Sequence, residues 1–551
     1  MKAYEALAAA FVAEGTTDVF GMMGDANMHW MNALAERGVR LYEARHEGSA
    51  LGMADGWARA TGGVGVVTAT SGPGTSQLAT SMVVASRART PLIAFCGETA
   101  LGDESAVQYL DQRRFAAAIE CGFVHVTKAD SALEAAQRAF YIARSESRPV
   151  MLSAPIDVQQ QESSEDEADY VPSTRLLDRP RLLPDPARLK LAGDIIAGSE
   201  RVVIIAGRGA RRAGAGEQIL RLHERTGALL ATTLQAKNWL RGDTDYHVGI
   251  SGLFGSKVAM ELLQEADCVI AVGASLNSYT IEHGYLYPEA RYVQIDTSPH
   301  IVMGNGLTAD CYLQADAVTA LAELNQLLEE RSVKIAGFHT TEVRDRLALP
   351  PVDPSEFKGE PGRLDPREAI TVIDATLPGE FDLVLGSGHQ TDFGTMIFQR
   401  SREVLSNYGM FGAIGQAPLL TIGMIVGNGG RPAFVVEGDA SFLMHLSEFE
   451  TACRYQVPIL VVVMNDEALG AEYHKARSKG LNPELAVIPT PELGPVAVAL
   501  GGSGATVRTT TELAAALAEY ARAPRPTVID VRITRDVLSI PYRRLWYGEN
   551  V

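Results

Sequence analysis

The stretch PAFVVEGDASFLMHLSEFETACRYQVPILVVVMNDEALGAEYH, residues 432–474, decides the fold. An apolar run ends at Gly438-Asp439, apolar residues at helical spacing follow from Ser441, and a second apolar run ends at Asn465-Asp466. This order predicts two parallel strands joined by a helix, because a right-handed crossover returns the chain to the same sheet. Both acidic ends then reach the carboxyl edge, where open α/β sheets bind ligands.

The two aspartates of this unit are candidate ligands for a hard cation. Asp439 and Asp466 supply the oxygen atoms that Mg²⁺ prefers, and phosphate oxygens and water can complete its octahedron. The predicted helix from Ser441 offers free N–H groups to a phosphate. The stretch therefore predicts a pocket for a magnesium-bound diphosphate. The alternative is ordinary acidic residues at strand ends of a nucleotide-type fold.

The same alternation of apolar runs and Ala-rich helical segments extends along the whole chain and predicts an α/β protein of doubly wound parallel sheets. Further strands are predicted at 63–70, 201–207, 267–274 and 382–388. Polar, proline-containing stretches at 158–185 and 341–366 are typical of linkers. They predict three domains, which we place at 1–165, 186–340 and 366–551.

Composition restricts the possible partners. The chain has 551 residues and a net charge of −18, with no basic cluster, which argues against nucleic-acid and anionic-membrane partners. Its five cysteines form no CxxC pair and are expected to be reduced. The first 15 residues are typical of an amphipathic helix rather than a signal peptide. We therefore expect a cytoplasmic protein.

Two motifs resemble the thiamine-diphosphate-dependent enzymes of the acetolactate synthase, pyruvate decarboxylase and benzaldehyde lyase superfamily. The family's GDG…NN motif appears here as Gly438-Asp439-Ala440 and Asn465-Asp466, with Ala440 and Asp466 departing from it. The RHE…ADGWARATG…TSGPG pattern at 45–74 resembles its pyrimidine-binding domain. The resemblance implies that Asp439, Asp466 and the carbonyl of Ala468 hold Mg²⁺. It implies three α/β domains and an active site between two chains of a homodimer or homotetramer.

The resemblance also assigns cofactor-binding and activating positions. Glu47 is the acid expected to hydrogen-bond the cofactor's pyrimidine ring and thereby help to remove the C2 proton. A solvated residue at a strand end is the alternative for this glutamate. Ile414 is expected to wedge under the cofactor, with a core isoleucine as the alternative. The other expected cofactor contacts are Gly72, Pro73, Gly388, His389, Gln390, Gly412, Gly438, Asp439, Ala440, Ser441 and Asp466.

Further candidates concern the substrate. Asp25 and Glu472 match positions that handle protons in the decarboxylase branch. The alternatives are a helix N-cap or turn residue for Asp25 and an exposed helical glutamate for Glu472. Glu98 stands where acetolactate synthases usually carry glutamine, and Gln112 and His474 are expected substrate contacts. The paired histidines of the pyruvate decarboxylase branch are not visible in 97–125.

The predicted middle domain, residues 186–340, contains weaker evidence for a bound ligand. GRGARRAGAG at 207–216 follows a predicted strand, but a lone glycine-rich turn is weak evidence for a nucleotide. Acetolactate synthases bind FAD in this domain with an arginine-bearing strand end, where this chain has GASLNSYT at 273–280. We therefore expect no bound FAD and a structural role for the block.

These observations favour a lyase or transferase that decarboxylates a pyruvate-like 2-oxo acid and ligates the resulting enamine to an aldehyde or ketone, giving a 2-hydroxyketone. Overall length and the N-terminal pattern favour this acetolactate-synthase-like carboligation. Simple 2-oxo acid decarboxylation and cleavage of a 2-hydroxyketone or cyclic diketone are the alternatives. A non-catalytic relative that serves as a binding subunit is disfavoured by Glu47, Asp439 and Asp466.

Overall fold

A computed structural model describes residues 1–178, 180–299 and 301–549, so residue 179 of the first predicted linker lies outside the described part. The chain forms three six-stranded sheets, and every strand pair is parallel. This confirms the predicted α/β class with three parallel sheets. Most strands are buried because helices cover both faces, which explains their near-continuous apolar sequences, whereas the edge strands at 40–43 and 503–507 are only partly buried.

The first sheet has the strand order β2-β1-β3-β4-β6-β5. Its strands are β1 (Asp18–Gly21), β2 (Arg40–Glu43), β3 (Gly65–Ala69), β4 (Leu92–Glu98), β5 (Gly122–His125) and β6 (Pro149–Pro155). Its helices are α1 (Ala3–Ala13), α2 (Met28–Glu36), α3 (Glu47–Thr61), α4 (Pro73–Ser76), α5 (Ala79–Arg87), α6 (Gln112–Ala118), α7 (Ala132–Glu146) and α8 (Ile156–Gln159).

The second sheet has the order β12-β11-β10-β7-β8-β9. Its strands are β7 (Val202–Ala206), β8 (Leu229–Thr232), β9 (His247–Ile250), β10 (Cys268–Val272), β11 (Arg291–Asp296) and β12 (Cys311–Gln314). Its helices are α9 (Pro186–Ala197), α10 (Arg208–Ala213), α11 (Gly216–Thr226), α12 (Lys257–Leu263), α13 (Ser278–Ile281), α14 (Ala317–Glu330) and α15 (Thr341–Leu347). Helix α15 occupies the start of the stretch 341–366, which we had interpreted wholly as linker.

The third sheet has the order β14-β13-β15-β16-β18-β17. Its strands are β13 (Asp382–Leu385), β14 (Val404–Ser406), β15 (Ala433–Gly438), β16 (Ile459–Asn465), β17 (Ser503–Val507) and β18 (Thr527–Arg532). Its helices are α16 (Pro366–Thr376), α17 (His389–Ile397), α18 (Gln416–Gly427), α19 (Asp439–Met444), α20 (Ser447–Arg454), α21 (Gly470–Ser478), α22 (Leu493–Ala499), α23 (Thr510–Arg522) and α24 (Ile540–Tyr547).

The unit at 432–474 folds as predicted, with one difference. Strands β15 and β16 are adjacent and parallel, with Val436 opposite Val462. The connecting helix begins at Asp439 rather than Ser441, and it is two helices, α19 and α20, separated at residues 445–446. The helical spacing of apolar residues in the sequence did not reveal this break, because both helices still direct apolar residues towards the sheet.

The first and third sheets are joined through helices α3 and α18. A Cβ atom at Gly56 would overlap the backbone of Leu420, and one at Gly423 would overlap the backbone of Met53. Glycine at both positions therefore lets the two helix backbones approach closely. Helix α18 is buried along almost its whole length. This contact fixes Glu47, the first residue of α3, relative to the third sheet of the same chain.

Within the described residues, no helix is both long enough and apolar enough to cross a bilayer. The boundaries that we drew between the three domains stay predictions.

Candidate functional site

The carboxyl ends of three adjacent strands enclose a small cavity at the edge of the third sheet. Strand β13 leads into the turn before α17, β15 leads directly into α19, and β16 ends beside Asp466. The cavity measures about 60 Å³. Its lining includes most of the predicted cofactor contacts, namely Gly388, His389, Gln390, Ile414, Gly438, Asp439, Ala440, Ser441, Asp466 and Ala468.

Two buried carboxylates face this cavity without a basic partner in the described residues. Asp439 is 2% exposed and Asp466 is 8% exposed. Burial raises the pKa of Asp439, while Thr490 Oγ1 donates a hydrogen bond of 2.7 Å to its Oδ2. Burial, together with the negative charge of Asp439, raises the pKa of Asp466 to about 7. Two acids that each disfavour ionisation of the other are suited to a divalent cation, which removes the repulsion.

The loop after β16 fixes the second acid. The backbone N–H of Ala468 donates to Asp466 Oδ1 at 3.1 Å, and Arg535 donates to the Asp466 carbonyl at 2.8 Å. Gly470 has no side chain and therefore leaves space for the Asp466 carboxylate. A Cβ atom at position 470 would lie 2.5 Å from Asp466 Oδ2. Asp466 thus has little freedom to turn away from the cavity.

His389 is buried as a neutral imidazole with a defined tautomer. The backbone N–H of Ser539 donates to His389 Nε2 at 3.1 Å, so the ring proton is on Nδ1. Burial and the neighbouring His474 hold the pKa of His389 well below its usual value. His389 lines the small cavity, so its Nδ1–H group is available to donate to an anionic ligand.

Gln390 and the start of α17 form another wall of the small cavity. Gly388 has a φ of 139°, and a Cβ atom there would lie 2.5 Å from Gln390 Oε1. Gln390 Nε2 donates to the Ser387 carbonyl and to Glu437 Oε1, each at 3.2 Å. Burial raises the pKa of Glu437 to about 8, which favours its neutral form at this position.

One departure from the family motif, Ala440, and the alternative for Ile414 can be judged from the backbone. Ala440 lies inside α19 and not at a left-handed position, so the missing glycine of the motif causes no backbone strain. Gly412 and Gly415 have φ values of 72° and 82° and bracket Ile414. Ile414 is half-buried and lines both this cavity and a larger neighbour, which disfavours its interpretation as a core isoleucine.

The larger cavity measures about 890 Å³ and lies between the second and third sheets. It shares Gly388, Ile414 and Glu472 with the small cavity. The basic residues on its wall are Arg89, Arg208, Arg212 and Lys475, against the acids Asp296 and Glu472. Burial and the nearby arginines lower the pKa of Arg208 to about 10. The cavity therefore has an excess of positive charge.

Glu472 and His474 lie on α21 but differ in access. The Glu472 side chain is exposed and accepts a hydrogen bond of 3.1 Å from Lys475. His474 is fully buried, and its ring lies 4.7 Å from that of His389. Among the described residues, neither ring nitrogen forms a hydrogen bond of good geometry, although the backbone of Arg535 interacts with the ring. His474 lines neither cavity, so the structure places it behind His389 rather than against a substrate.

The remaining candidates lie at the carboxyl edge of the first sheet. The Glu47 carboxylate packs against Gly74, where a Cβ atom would lie 3.0 Å from its Oε1. Gly72, with a φ of 56°, and Pro73 form the turn into α4. Asp25 is exposed and lies in the turn before α2, whose N-cap is Asn27, so the structure matches the turn-residue alternative for Asp25 and not the N-cap.

Two predicted substrate contacts are engaged inside the first domain. Glu98 Oε2 lies 2.7 Å from His125 Nε2 and accepts a hydrogen bond of 2.8 Å from Ser153 Oγ. Gln112 is buried, and its amide donates to the Gly97 carbonyl at 2.7 Å. Neither residue lines either cavity, and Gln112 points into the core.

The structure brings forward three residues that sequence reasoning missed. Gln108 is exposed and accepts a hydrogen bond of 2.8 Å from Ser71 Oγ, beside the turn at Gly72. Thr490 holds Asp439, and Ser539 fixes the tautomer of His389. All three are distant in sequence from the groups that they contact, and no local pattern marks them.

Glu47 lines neither of the two cavities, so the described chain does not bring it to the acid pair within one cavity. The first-sheet candidates and the third-sheet candidates form two half-sites.

Comparison with protein families finds three consecutive matches. Residues 1–118 match the thiamine pyrophosphate enzyme N-terminal TPP binding domain, 189–324 match the central domain, and 388–531 match the C-terminal TPP binding domain. The matches follow the order of the three sheets.

Comparison with curated proteins finds relatives of two kinds. A probable acetolactate synthase large subunit of Methanocaldococcus jannaschii is 30% identical, covering 86% of this chain and 81% of the relative. Acetolactate synthase 2 of Nicotiana tabacum is 26% identical, covering 98% and 83%. A sulfoacetaldehyde acetyltransferase of Castellaniella defragrans is 28% identical, covering 98% and 94%.

Proposed function

Because the chain belongs to the thiamine-diphosphate-dependent enzyme family that includes the acetolactate synthases, we propose that it is a carboligase. It would remove carbon dioxide from a pyruvate-like 2-oxo acid and join the remaining acyl fragment to the carbonyl of an aldehyde or ketone. The product would be a 2-hydroxyketone. The observation that carries the proposal is the buried pair Asp439 and Asp466, which faces a cavity beside His389 and Gln390.

The residues at this cavity fit a magnesium-bound diphosphate. Asp439, Asp466 and the carbonyl of Ala468 would hold Mg²⁺, since the two carboxylates are buried and Arg535, whose charge acts on Asp466, donates to its backbone carbonyl rather than to its carboxylate. His389 Nδ1–H and the N–H groups at the start of α19 would donate to phosphate oxygens. When bound, thiamine diphosphate supplies a C2 carbanion that adds to a carbonyl, and its thiazolium ring accepts the electron pair.

Glu47 would complete the site from a second copy of the chain. Its carboxyl group would share a proton with the pyrimidine ring nitrogen and so favour the tautomer that removes the C2 proton. The support for a contribution in trans is that Glu47 and the acid pair occupy separate half-sites in one chain. The proposed assembly is therefore a homodimer or a homotetramer.

The larger cavity supports an anionic substrate. Arg208, Arg212 and Lys475 lie on its wall, and it adjoins Ile414 and the small cavity proposed to bind the diphosphate. A carboxylate would be attracted to this positive field, and it would lose its negative charge on release as carbon dioxide. The absence of bound FAD in the middle domain stays a prediction, which the visible absorption of the purified protein would test.

Two exposed acids are proposed to handle protons near the substrate. Glu472 reaches both cavities and is close to Lys475, and Asp25 lies at the carboxyl edge of the first sheet. Because both acids retain access to solvent, they can exchange protons with water during turnover. If they mainly protonate the acyl fragment, the outcome is simple decarboxylation to an aldehyde.

The test is product analysis with the holoenzyme. Pyruvate and longer 2-oxo acids are supplied with and without an aldehyde or a second 2-oxo acid, and the products are separated on a chiral phase. Carboligation predicts optically active 2-hydroxyketones that depend on the acceptor. Aldehyde as the main product at every acceptor concentration would favour decarboxylation, whereas cleavage of a supplied 2-hydroxyketone without carbon dioxide release would favour a lyase.

Acyl transfer is a second candidate, since the sulfoacetaldehyde acetyltransferase relatives match almost the full length of both chains. Sulfoacetaldehyde is therefore included in the substrate panel. Its consumption by the holoenzyme, with no conversion of 2-oxo acids, would favour acetyl transfer over carboligation.

A further inference from the structure

Three side chains of types that commonly bind metal ions lie close together in the middle domain, away from the proposed cofactor site. His223 and Glu224 are on α11, and His339 lies between α14 and α15. One ring nitrogen of each histidine and a carboxylate oxygen of Glu224 all lie within 4.8 Å of one another. Two imidazoles and one carboxylate are a common ligand set for Zn²⁺.

His339 is oriented as metal-binding histidines usually are. Its Nε2 lies 3.1 Å from the carbonyl oxygen of Ala228, which can only accept, so Nε2 carries the ring proton. The lone pair is therefore on Nδ1. Donation of the remote N–H to a backbone carbonyl is the usual way in which a protein fixes the ring of a metal ligand. Tyr246 stacks on the same ring at 4.1 Å and further limits its rotation.

His223 adds a buried nitrogen that is poorly satisfied. The side chain is fully buried, Nε2 lies 2.8 Å from Thr244 Oγ1, and Nδ1 forms no hydrogen bond of good geometry with the described residues, although the backbone of Ala228 interacts with the ring. A buried, unpaired polar atom costs free energy, on the order of 1–3 kcal/mol. Burial and the adjacent His339 lower the pKa of His223 to about 4, so the imidazole is neutral, as metal binding requires.

The third side chain supplies the negative charge. Glu224 is exposed, and its Oε1 lies 3.9 Å from His223 Nε2. Tetrahedral Zn²⁺ with bonds of about 2.0–2.1 Å needs ligand atoms about 3.3 Å apart. The ligand atoms of the group lie within 4.8 Å of one another, which exceeds this value by up to about 1.5 Å, and rotation of the exposed Glu224 side chain can shorten its distances to both histidines.

We propose that His223, Glu224 and His339 form a second metal site, which binds a divalent transition ion such as Zn²⁺. The site lies where α11 leads into β8 and where Tyr246 leads into β9, at the amino edge of the middle sheet. The larger cavity lies at the opposite, carboxyl edge. The role of the ion is therefore structural: it ties α11 to the segment that leads into α15.

The test uses the full chain, stripped of metal and then saturated with Mg²⁺ and thiamine diphosphate so that the cofactor site is filled. Zn²⁺ alone is titrated by calorimetry. The wild type is expected to bind one Zn²⁺ per chain, and H339A and E224Q are expected to weaken binding at least about tenfold. E224Q changes an exposed side chain and leaves the fold intact, so it keeps the test valid if H339A folds poorly.

Two controls separate this site from others. H283A removes an exposed histidine of the same domain and should leave Zn²⁺ affinity unchanged. D439A removes a proposed cofactor ligand and should also leave it unchanged. Amide exchange in residues 331–340 should slow on addition of Zn²⁺ in the wild type and not in E224Q. Equal Zn²⁺ affinity in the wild type, H339A and E224Q, or no binding by the wild type, would overturn the proposal.

Discussion

Replacing Asp466 by Asn tests the electrostatics of the acid pair. In the folded apoprotein, burial and Asp439 raise the pKa of Asp466 from 3.8 to about 7. An ionised Asp466 therefore destabilises the fold. The sign follows from linkage: the cost is absent below pH about 4, grows between pH 4 and 7, and is fully present above pH 7. D466N removes the charge and retains an oxygen atom that can still coordinate Mg²⁺.

The magnitude follows from the size of the shift. A difference of roughly three pKa units corresponds to a destabilisation of about 4 kcal/mol above pH 7. Relaxation of the site reduces this destabilisation. We therefore expect apo-D466N to be about 2–4 kcal/mol more stable than the wild type at pH 8. At pH 4 the two proteins should unfold at the same denaturant concentration. Because the wild type loses its repulsion on binding the ion, Mg²⁺ and thiamine diphosphate should stabilise it more than D466N.

The assay is urea unfolding of metal-free protein at several pH values between 4 and 8, followed by fluorescence and circular dichroism. D345N, which neutralises an exposed aspartate, is the matched control and should show no pH-dependent gain. If apo-D466N and the wild type unfold together at pH 8 as they do at pH 4, burial and the charge of Asp439 do not raise the pKa of Asp466, and the electrostatic support for the proposed ion site is lost.

Three further predictions concern Glu47, the helix contact and acid stability. G74A should lower kcat at least about tenfold with little loss of stability, because the new Cβ atom lies 3.0 Å from Glu47 Oε1 and displaces the Glu47 carboxylate. Steady-state kinetics measure the change in kcat, and the melting temperature measures the change in stability. G423A should lower the free energy of unfolding by more than about 3 kcal/mol, since its Cβ overlaps the backbone of Met53, and urea unfolding measures this. Burial holds the pKa of His247 at about 3, so below pH 6.5 the unfolded chain takes up this proton while the folded chain stays neutral at this position. Between pH 7 and 4.5 the wild type should therefore lose about 2–3 kcal/mol of stability relative to H247Q, measured as the difference between their free energies of unfolding in urea.

The controls for these variants come from the same chain. G379A places a Cβ no closer than 3.6 Å to its nearest neighbour and should change stability by less than about 0.5 kcal/mol. G74A activity equal to wild type would show that the position of Glu47 does not matter for turnover. Unfolding of G423A at the same urea concentration as G379A would contradict the close helix contact.

The sequence predicted the third sheet well because its signal is local. Apolar runs that end in Gly438-Asp439 and Asn465-Asp466 indicate buried strands with acidic ends, and the structure places both ends at one cavity. The break between α19 and α20 was not predicted, because Phe442 and Phe449 keep helical spacing across it. Such a break depends on the tertiary contacts of residues 445–446, for example between His445 Nδ1 and Ser49 Oγ at 3.1 Å.

Contacts between distant segments account for what the sequence did not predict. Gln108 and Gln112 are only four positions apart, yet Gln108 is exposed beside Ser71, while Gln112 is buried. The neutral tautomer of His389 depends on Ser539, which lies 150 positions away along the chain. The close approach of α3 and α18 depends on glycines that, in sequence, are typical only of weak helix positions.

The central claim is that one chain contributes Glu47 and another contributes the acid pair, and mixing two inactive variants tests it most directly. E47Q and D439A are purified separately, dissociated, mixed in equal amounts and allowed to reassociate, with each variant treated alone as a control. A site shared between chains predicts recovery of about a quarter of wild-type activity, because half of randomly formed dimers are mixed and each mixed dimer retains one intact site of two. No recovery, in a mixture shown by mass spectrometry to contain mixed dimers, would contradict the account.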